Sequence, residues 1–169
     1  MNTPEFREFL KRFSSAAEAG DGEAFAACFT EDGIYHDYVY GNHQGRAEIA
    51  HMMSDQFHRD AGEDYRWEMF DPICDGNLAY AWSLSSFTST VPEFAGKRVV
   101  IDGMSRFELR DGLISDYRES VNGGVAMAQL GVQPERLAKV CAKWGRMLIE
   151  QPETKEYLAR SKGSWKDGT

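Results

Sequence analysis

Tyr35 and Asp37 stand two positions apart in the stretch Phe29-Thr30-Glu31-Asp32-Gly33-Ile34-Tyr35-His36-Asp37. On a strand, that spacing turns both side chains to one face. If the face is apolar, an ionised carboxylate is costly there unless it is hydrogen-bonded. A phenol beside a carboxylate can hold and move a proton, with Asp37 as general base, its pKa raised by apolar walls, and Tyr35 as hydrogen-bond partner or acid. The structural alternative has Asp37 capping the loop after its strand or pairing with Arg46. Glu119 offers a second carboxylate on the far wall, for an acid/base pair, or an ion pair with Arg118 or Arg106. His43 falls in a loop over the expected cavity mouth, where an imidazole serves as a proton shuttle or simply faces water.

Other chemistries find less support. His36 alternates away from Asp37 and is expected to be exposed. His51 and His58 lie seven apart with Asp55 between them, a helix-surface cluster rather than a metal-ligand spacing, so neither a metal nor another cofactor is expected. No Gly-x-Ser-x-Gly elbow marks a serine nucleophile, and no glycine-rich phosphate loop occurs. Cys28, Cys74 and Cys141 are odd in number and far apart, which suits small buried hydrophobes better than disulfides.

A chain of 169 residues with 42% hydrophobic and 27% charged content has the size and composition of one well-cored domain, read here as residues 1–161 with a disordered tail over 162–169. The formal net charge of −8 disfavours nucleic acid and anionic membrane as partners. The start of the chain lacks a basic region followed by an apolar run, and nowhere do eighteen apolar residues run together, so a cytoplasmic protein is expected.

These residues need elements to position them. Thr3 reads as an N-cap, and Phe6, Phe9, Leu10, Phe13 and Ala17 recur at helical spacing to about Ala19. Gly20 stops that helix, and Asp21 caps a short second one through Phe29. Asp32-Gly33 then turns into the strand of Tyr35 and Asp37, and Val39 to Gln44 reads as a loop. Ile49, Met52, Met53 and Phe57 mark a third helix ending near residues 60–62. From Tyr65 the period changes to two, and strands are predicted over Tyr65 to Asp75, Leu78 to Thr90, Lys97 to Leu109 and Leu113 to Asn122. After Gly123-Gly124 the pattern is helical again, with a break near Leu130 and an amphipathic segment from Pro134 to about Ile149.

Helices followed by a curved antiparallel sheet predict an α+β fold in which the sheet wraps the N-terminal helices, with an extra C-terminal helix. Odd-numbered strand residues then line the interior: Tyr35, Asp37, Trp67, Met69, Ser83, Ser85, Phe87, Ile101, Gly103, Ser105, Tyr117 and Glu119. Apolar walls with sparse polar groups suit a hydrophobic, oxygenated small molecule, although Trp67 and Phe87 could equally be filling. On the opposite face Trp82, Leu84, Val100 and Met104 form an apolar patch expected to pair two copies as a homodimer.

The order of elements resembles the cone-shaped nuclear transport factor 2-like (cystatin-like) superfamily, which includes SnoaL-like polyketide cyclases, ketosteroid isomerase, scytalone dehydratase and limonene epoxide hydrolase. Ala24-Phe25-Ala26-Ala27-Cys28-Phe29-Thr30-Glu31-Asp32-Gly33-Ile34-Tyr35, the Gly45-Arg46 helix start and Arg110-Asp111-Gly112-Leu113-Ile114 with Tyr117-Arg118-Glu119 carry the likeness. The resemblance places a ketosteroid isomerase-type base on Asp37 and the matching oxyanion-hole tyrosine on Phe13, which has no donor. The water-positioning pair of the epoxide hydrolase falls on Tyr35 and Asp37, its last aspartate on Glu119, and a scytalone dehydratase tyrosine on Tyr38. It implies a cofactor-independent lyase, dehydratase, isomerase or cyclase acting on an aromatic or polycyclic molecule. The alternative it implies is a non-catalytic ligand carrier or a subunit similar to the β subunit of an aromatic-ring-hydroxylating dioxygenase.

Overall fold

The computed structural model describes residues 1–37 and 41–160. The chain divides into two compact units, Met1–Gly131 and a second beginning at Val132. In the first, helix α1 (Thr3–Ala19) is capped by Asn2, one residue earlier than the sequence suggested. The Asn2 side chain accepts from the Glu5 amide while Glu5 returns a bond to the Asn2 amide, a reciprocal cap that Thr3 cannot make from inside the first turn. Gly20 ends α1 in the left-handed conformation, and Asp21 caps α2 (Gly22–Ala26).

Among the described residues six strands follow: β1 (Phe29–Asp37), β2 (Gly41–Gln44), β3 (Glu63–Asp75), β4 (Leu78–Thr88), β5 (Arg98–Arg110) and β6 (Leu113–Val121). They form one sheet in the order β2-β1-β6-β5-β4-β3. Two features depart from the expected antiparallel meander. Part of the segment read as a loop, Gly41–Gln44, is instead the edge strand β2, paired with β1. β1 also runs parallel to β6, so the sheet is mixed. This parallel pair brings the first strand beside the last and sets Tyr35 opposite Tyr117.

The third helix is not uniform. α3 (Arg46–His51) passes into a π-helical turn, Met52–Phe57, before α4 (His58–Ala61). Such a turn carries an extra residue and is a frequent mark of functional sites. Met52 and Met53 stay buried, while the Phe57 ring meets Tyr65 edge-on at 5.0 Å.

Phe6, Phe9 and Phe13 of α1 pack into the concave face of the sheet, and Phe13 lies within 6.2 Å, ring to ring, of Phe25, Phe29, Trp67, Phe107 and Tyr117. The Glu18 carboxylate accepts the Trp67 amide at 2.8 Å, tying the end of α1 to β3. After β6, α5 (Gly123–Leu130) lies along β5, where the Gln129 amide bonds both backbone groups of Val100 in place of a neighbouring strand.

The second unit holds α6 (Pro134–Glu150) and α7 (Pro152–Arg160). Gln151 is extended before Pro152, as a residue preceding proline prefers, and this break makes the separate helix α7 that the sequence pattern did not reveal. The tail read as disordered lies outside the described residues.

Candidate functional site

Parallel pairing of β1 and β6 sets Tyr35 beside Tyr117 and His36 beside Arg118, which carries Asp37 toward Glu119 at the same end of the sheet. The Tyr35 and Tyr117 rings stack at 4.8 Å. The Tyr117 hydroxyl donates to Glu119 Oε2 at 3.0 Å and lies 3.0 Å from Ser105 Oγ on β5. With the phenol proton directed to the carboxylate, the serine hydroxyl donates to the phenol oxygen. Ser105 and Tyr117 have no exposed surface, so the Ser105–Tyr117–Glu119 chain is fixed from below by packing.

Burial, and secondly the negative charge of Asp37, push the Glu119 carboxyl up to about 7, against the opposing bond from Tyr117. Two carboxylates in one desolvated place cannot both ionise cheaply. Near neutral pH Glu119 is therefore divided between a proton donor and a proton acceptor. The phenols of Tyr35, Tyr65 and Tyr117 are all held well above the ordinary tyrosine value, first by burial and next by the charge of Glu119, and they stay neutral donors at any physiological pH.

The alternative ion pairs are made elsewhere. Arg46 reaches back to the Phe29 carbonyl and the Glu31 carboxylate. Arg106 pairs with Glu108 and Asp116, and Arg118 pairs with Asp116. His36, expected to be exposed, is half-buried in that outer-face network, 2.8 Å from Asp116 and 3.0 Å from Asn42. The reason is that β6 and β2 flank β1 on both sides, so an outward residue of β1 still has neighbours. His51 pairs with Asp55 on the surface at 3.0 Å. His58, by contrast, is half-buried with its Nδ1 unpaired, and its ring lies so close to Gly20 that a Cβ there would come within 2.7 Å of it. Among the described residues no three His, Cys, Asp or Glu side chains gather in a way that could hold a metal.

The other expected lining residues fall into two layers. Tyr35, Trp67, Ser83, Ser105 and Tyr117 are buried at the floor, and Ser83 bonds the Gly103 carbonyl at 3.4 Å. Met69, Ser85, Phe87, Ile101, Asp37 and Glu119 are half-buried. Phe13 is wholly enclosed by the rings around it, which leaves it in the core with no surface open to a ligand. Trp67 and Met69 also border an open groove between α1 and β3, together with Arg7, Lys11, Glu18 and Arg66. Neither Asp37, Tyr35 nor Glu119 touches that groove. Tyr38 lies outside the described residues. His43 is on β2 directly across from Tyr35, so it shares the Tyr35 face rather than hanging in a loop, and its Nε2 is buried without a partner. Tyr65, buried on the same face and met edge-on by Phe57, carries in the sequence the same signal as the expected lining residues, an odd number two residues before Trp67.

Residues 10–117 match the SnoaL-like domain family. Solved structures with the same fold include a Catenulispora acidiphila protein of ketosteroid isomerase-like fold in complex with trimethylamine, 17% identical, with TM-score 0.66 over 76% of this chain and 95% of that one. A second is an LEH-like epoxide hydrolase from M. tuberculosis, 16% identical, with TM-score 0.59 over 76% and 90%. A third is IdmH from Streptomyces antibioticus, a candidate polyketide cyclase, 18% identical, with TM-score 0.62 over 74% and 97%. No curated protein matches the chain by sequence.

Proposed function

This chain belongs to the SnoaL-like domain family, and from that premise we propose that it is a cofactor-independent acid/base enzyme of the lyase, isomerase or cyclase type. Its substrate is a hydrophobic aromatic or polycyclic small molecule. The observation that carries this reading is the Glu119 carboxyl, raised to about 7 and held by Tyr117 next to Asp37. Asp37 takes a proton from a carbon beside a carbonyl, and the electron pair of the broken C–H bond moves onto the carbonyl oxygen. Glu119, itself exchanging with solvent, returns a proton to that carbon or to a second one, and the Tyr117–Ser105 pair holds its carboxyl in place. Tyr35 hydrogen-bonds the substrate oxygen, and His43, across from Tyr35, passes protons to solvent. The polyketide cyclase candidate and the epoxide hydrolase of the same fold are consistent with this class of chemistry.

The reading extends to assembly. Trp82, Val100 and Met104 are exposed on the outer sheet face, at 38%, 48% and 48%, with half-buried Leu84 among them. This patch pairs two copies. No helix among the described residues is long and apolar enough to cross a membrane.

Hydrogen–deuterium exchange into 2-tetralone, followed by NMR in D2O, tests the acid/base proposal. The wild-type chain is expected to accelerate exchange, and Asp37→Asn and Glu119→Gln to abolish the acceleration. Acceleration unchanged in both variants would remove the pair from the chemistry.

A further inference from the structure

Beside Glu119 the interior holds two phenols that the Ser105–Tyr117–Glu119 chain leaves out. Tyr35 and Tyr65 are 2% and 9% exposed, and among the described residues neither hydroxyl has a hydrogen-bond partner. Neither oxygen is among the sealed, unpartnered polar atoms of the interior, so each phenol tip meets accessible surface with its donor unspent, where an oxygen arriving from outside can accept from it. Tyr65 reaches this position through a bulge. The β3–β4 register shifts between Glu63 and Arg66, with Asp64 in the left-handed region at φ 56, and bulges of this kind re-aim the side chains that follow. Beyond it Tyr65 and Trp67 share the concave face, and Phe57 of the π-helical turn braces the Tyr65 ring edge-on. Tyr35 is held from the other wall by its stack on Tyr117.

We propose that Tyr65 contacts the substrate and, with Tyr35, binds a single neutral oxygen of it, a ring ketone or phenol, next to the Glu119 carboxyl. The proposal rests on the acid/base reading above and names its substrate class. A ketone or hydroxyl oxygen has two lone pairs and accepts from both phenols at once. A carboxylate-bearing substrate is disfavoured, because Asp37 and Glu119 already place negative charge here. When Asp37 accepts the proton of the substrate carbon, its negative charge passes to the substrate oxygen. The total charge of the site is unchanged, and the two phenols face the atom that gains it.

The test compares binding of 2-naphthol and naphthalene, which differ by one hydroxyl, at pH 6 by titration calorimetry. Wild type is expected to prefer 2-naphthol. Tyr65→Phe and Tyr35→Phe are each expected to weaken 2-naphthol binding about 3- to 10-fold, the loss of one hydrogen bond, and to leave naphthalene binding unchanged. A purely structural Tyr65 would alter both probes equally, and that result, no change with either probe, or no preference in wild type would overturn the proposal. The two readings fail separately. A naphthol preference that depends on Tyr65, with exchange unaffected by Glu119→Gln, keeps the phenol pair and discards the acid/base role. Exchange lost in Glu119→Gln, with Tyr65→Phe binding both probes as wild type does, does the reverse.

Discussion

Tyr117 and Glu119 lie two residues apart on β6, and the phenol of one donates a 3.0 Å hydrogen bond to the carboxylate of the other. Neighbours at this spacing on one strand face usually point past each other toward partners on adjacent strands. Here Ser105 holds the phenol from β5, and the short bond within β6 fixes the carboxyl where Asp37 approaches it.

Substituting the carboxyl by its amide keeps shape and hydrogen bonding but removes the proton. Glu119→Gln is expected to lower the exchange rate about 10²- to 10⁴-fold, the usual contribution of a positioned acid or base. Deuterium uptake at pH 7 measures it, and circular dichroism checks that the fold is kept.

The raised Glu119 value also has a consequence for stability. Folding takes up a proton wherever the pH lies between the ordinary value of 4.5 and the folded value of about 7. The stabilisation is complete below the first and is lost as pH rises through the second, by at most about 3 kcal/mol. Urea unfolding from pH 5 to 8 should therefore show falling stability in wild type and a flatter profile in Glu119→Gln.

Removing only the Tyr117 hydroxyl separates its two roles. The bond from Tyr117 lowers the Glu119 value, so Tyr117→Phe is expected to move the corresponding limb of the pH–rate profile to higher pH. It also leaves the buried Ser105 hydroxyl without its partner, at a cost of about 1–3 kcal/mol. A shift toward lower pH would contradict the geometry.

Two glycines give opposite outcomes. A Cβ at Gly22 would lie 2.4 Å from the Ala50 carbonyl oxygen, where α2 meets α3, whereas a Cβ at Gly145 within α6 meets nothing. Gly22→Ala should destabilise by about 1–3 kcal/mol through backbone displacement. Gly145→Ala should stabilise by about 0.5–1 kcal/mol through helix entropy. Thermal melts of the two variants measure both.

The exposed outer face predicts association. Glutamate at both Trp82 and Met104 should convert a dimer to a monomer in light-scattering measurements and leave the secondary structure unaltered. A wild-type chain that is monomeric at micromolar concentration would remove the dimer from the account.

Local rules made much of the fold legible. The three-four spacing of Phe6, Phe9, Leu10 and Phe13 and the alternation from Tyr65 onward place α1 and the long strands within a few residues of their observed ends. The asparagine cap escaped because Thr3-Pro4 is an equally good local signal, and only the return bond from Glu5 selects Asn2. β2 escaped because four polar residues become a strand only when β1 lies alongside. Alternation put Ser105, Tyr117 and Glu119 on one face, but periodicity carries no distances, and the proton chain among them depends on β5–β6 register. The burial of Phe13 and the pairing of His36 with Asp116 depend on contacts far away in sequence, which no local pattern encodes.

The central claim is that Glu119 carries a proton near neutral pH. Its titration by NMR, with ¹³C-carboxyl glutamate and Glu119→Gln to assign the resonance, tests this directly. The expected midpoint is about 7, and a midpoint at the ordinary glutamate value near 4.5 would contradict the account.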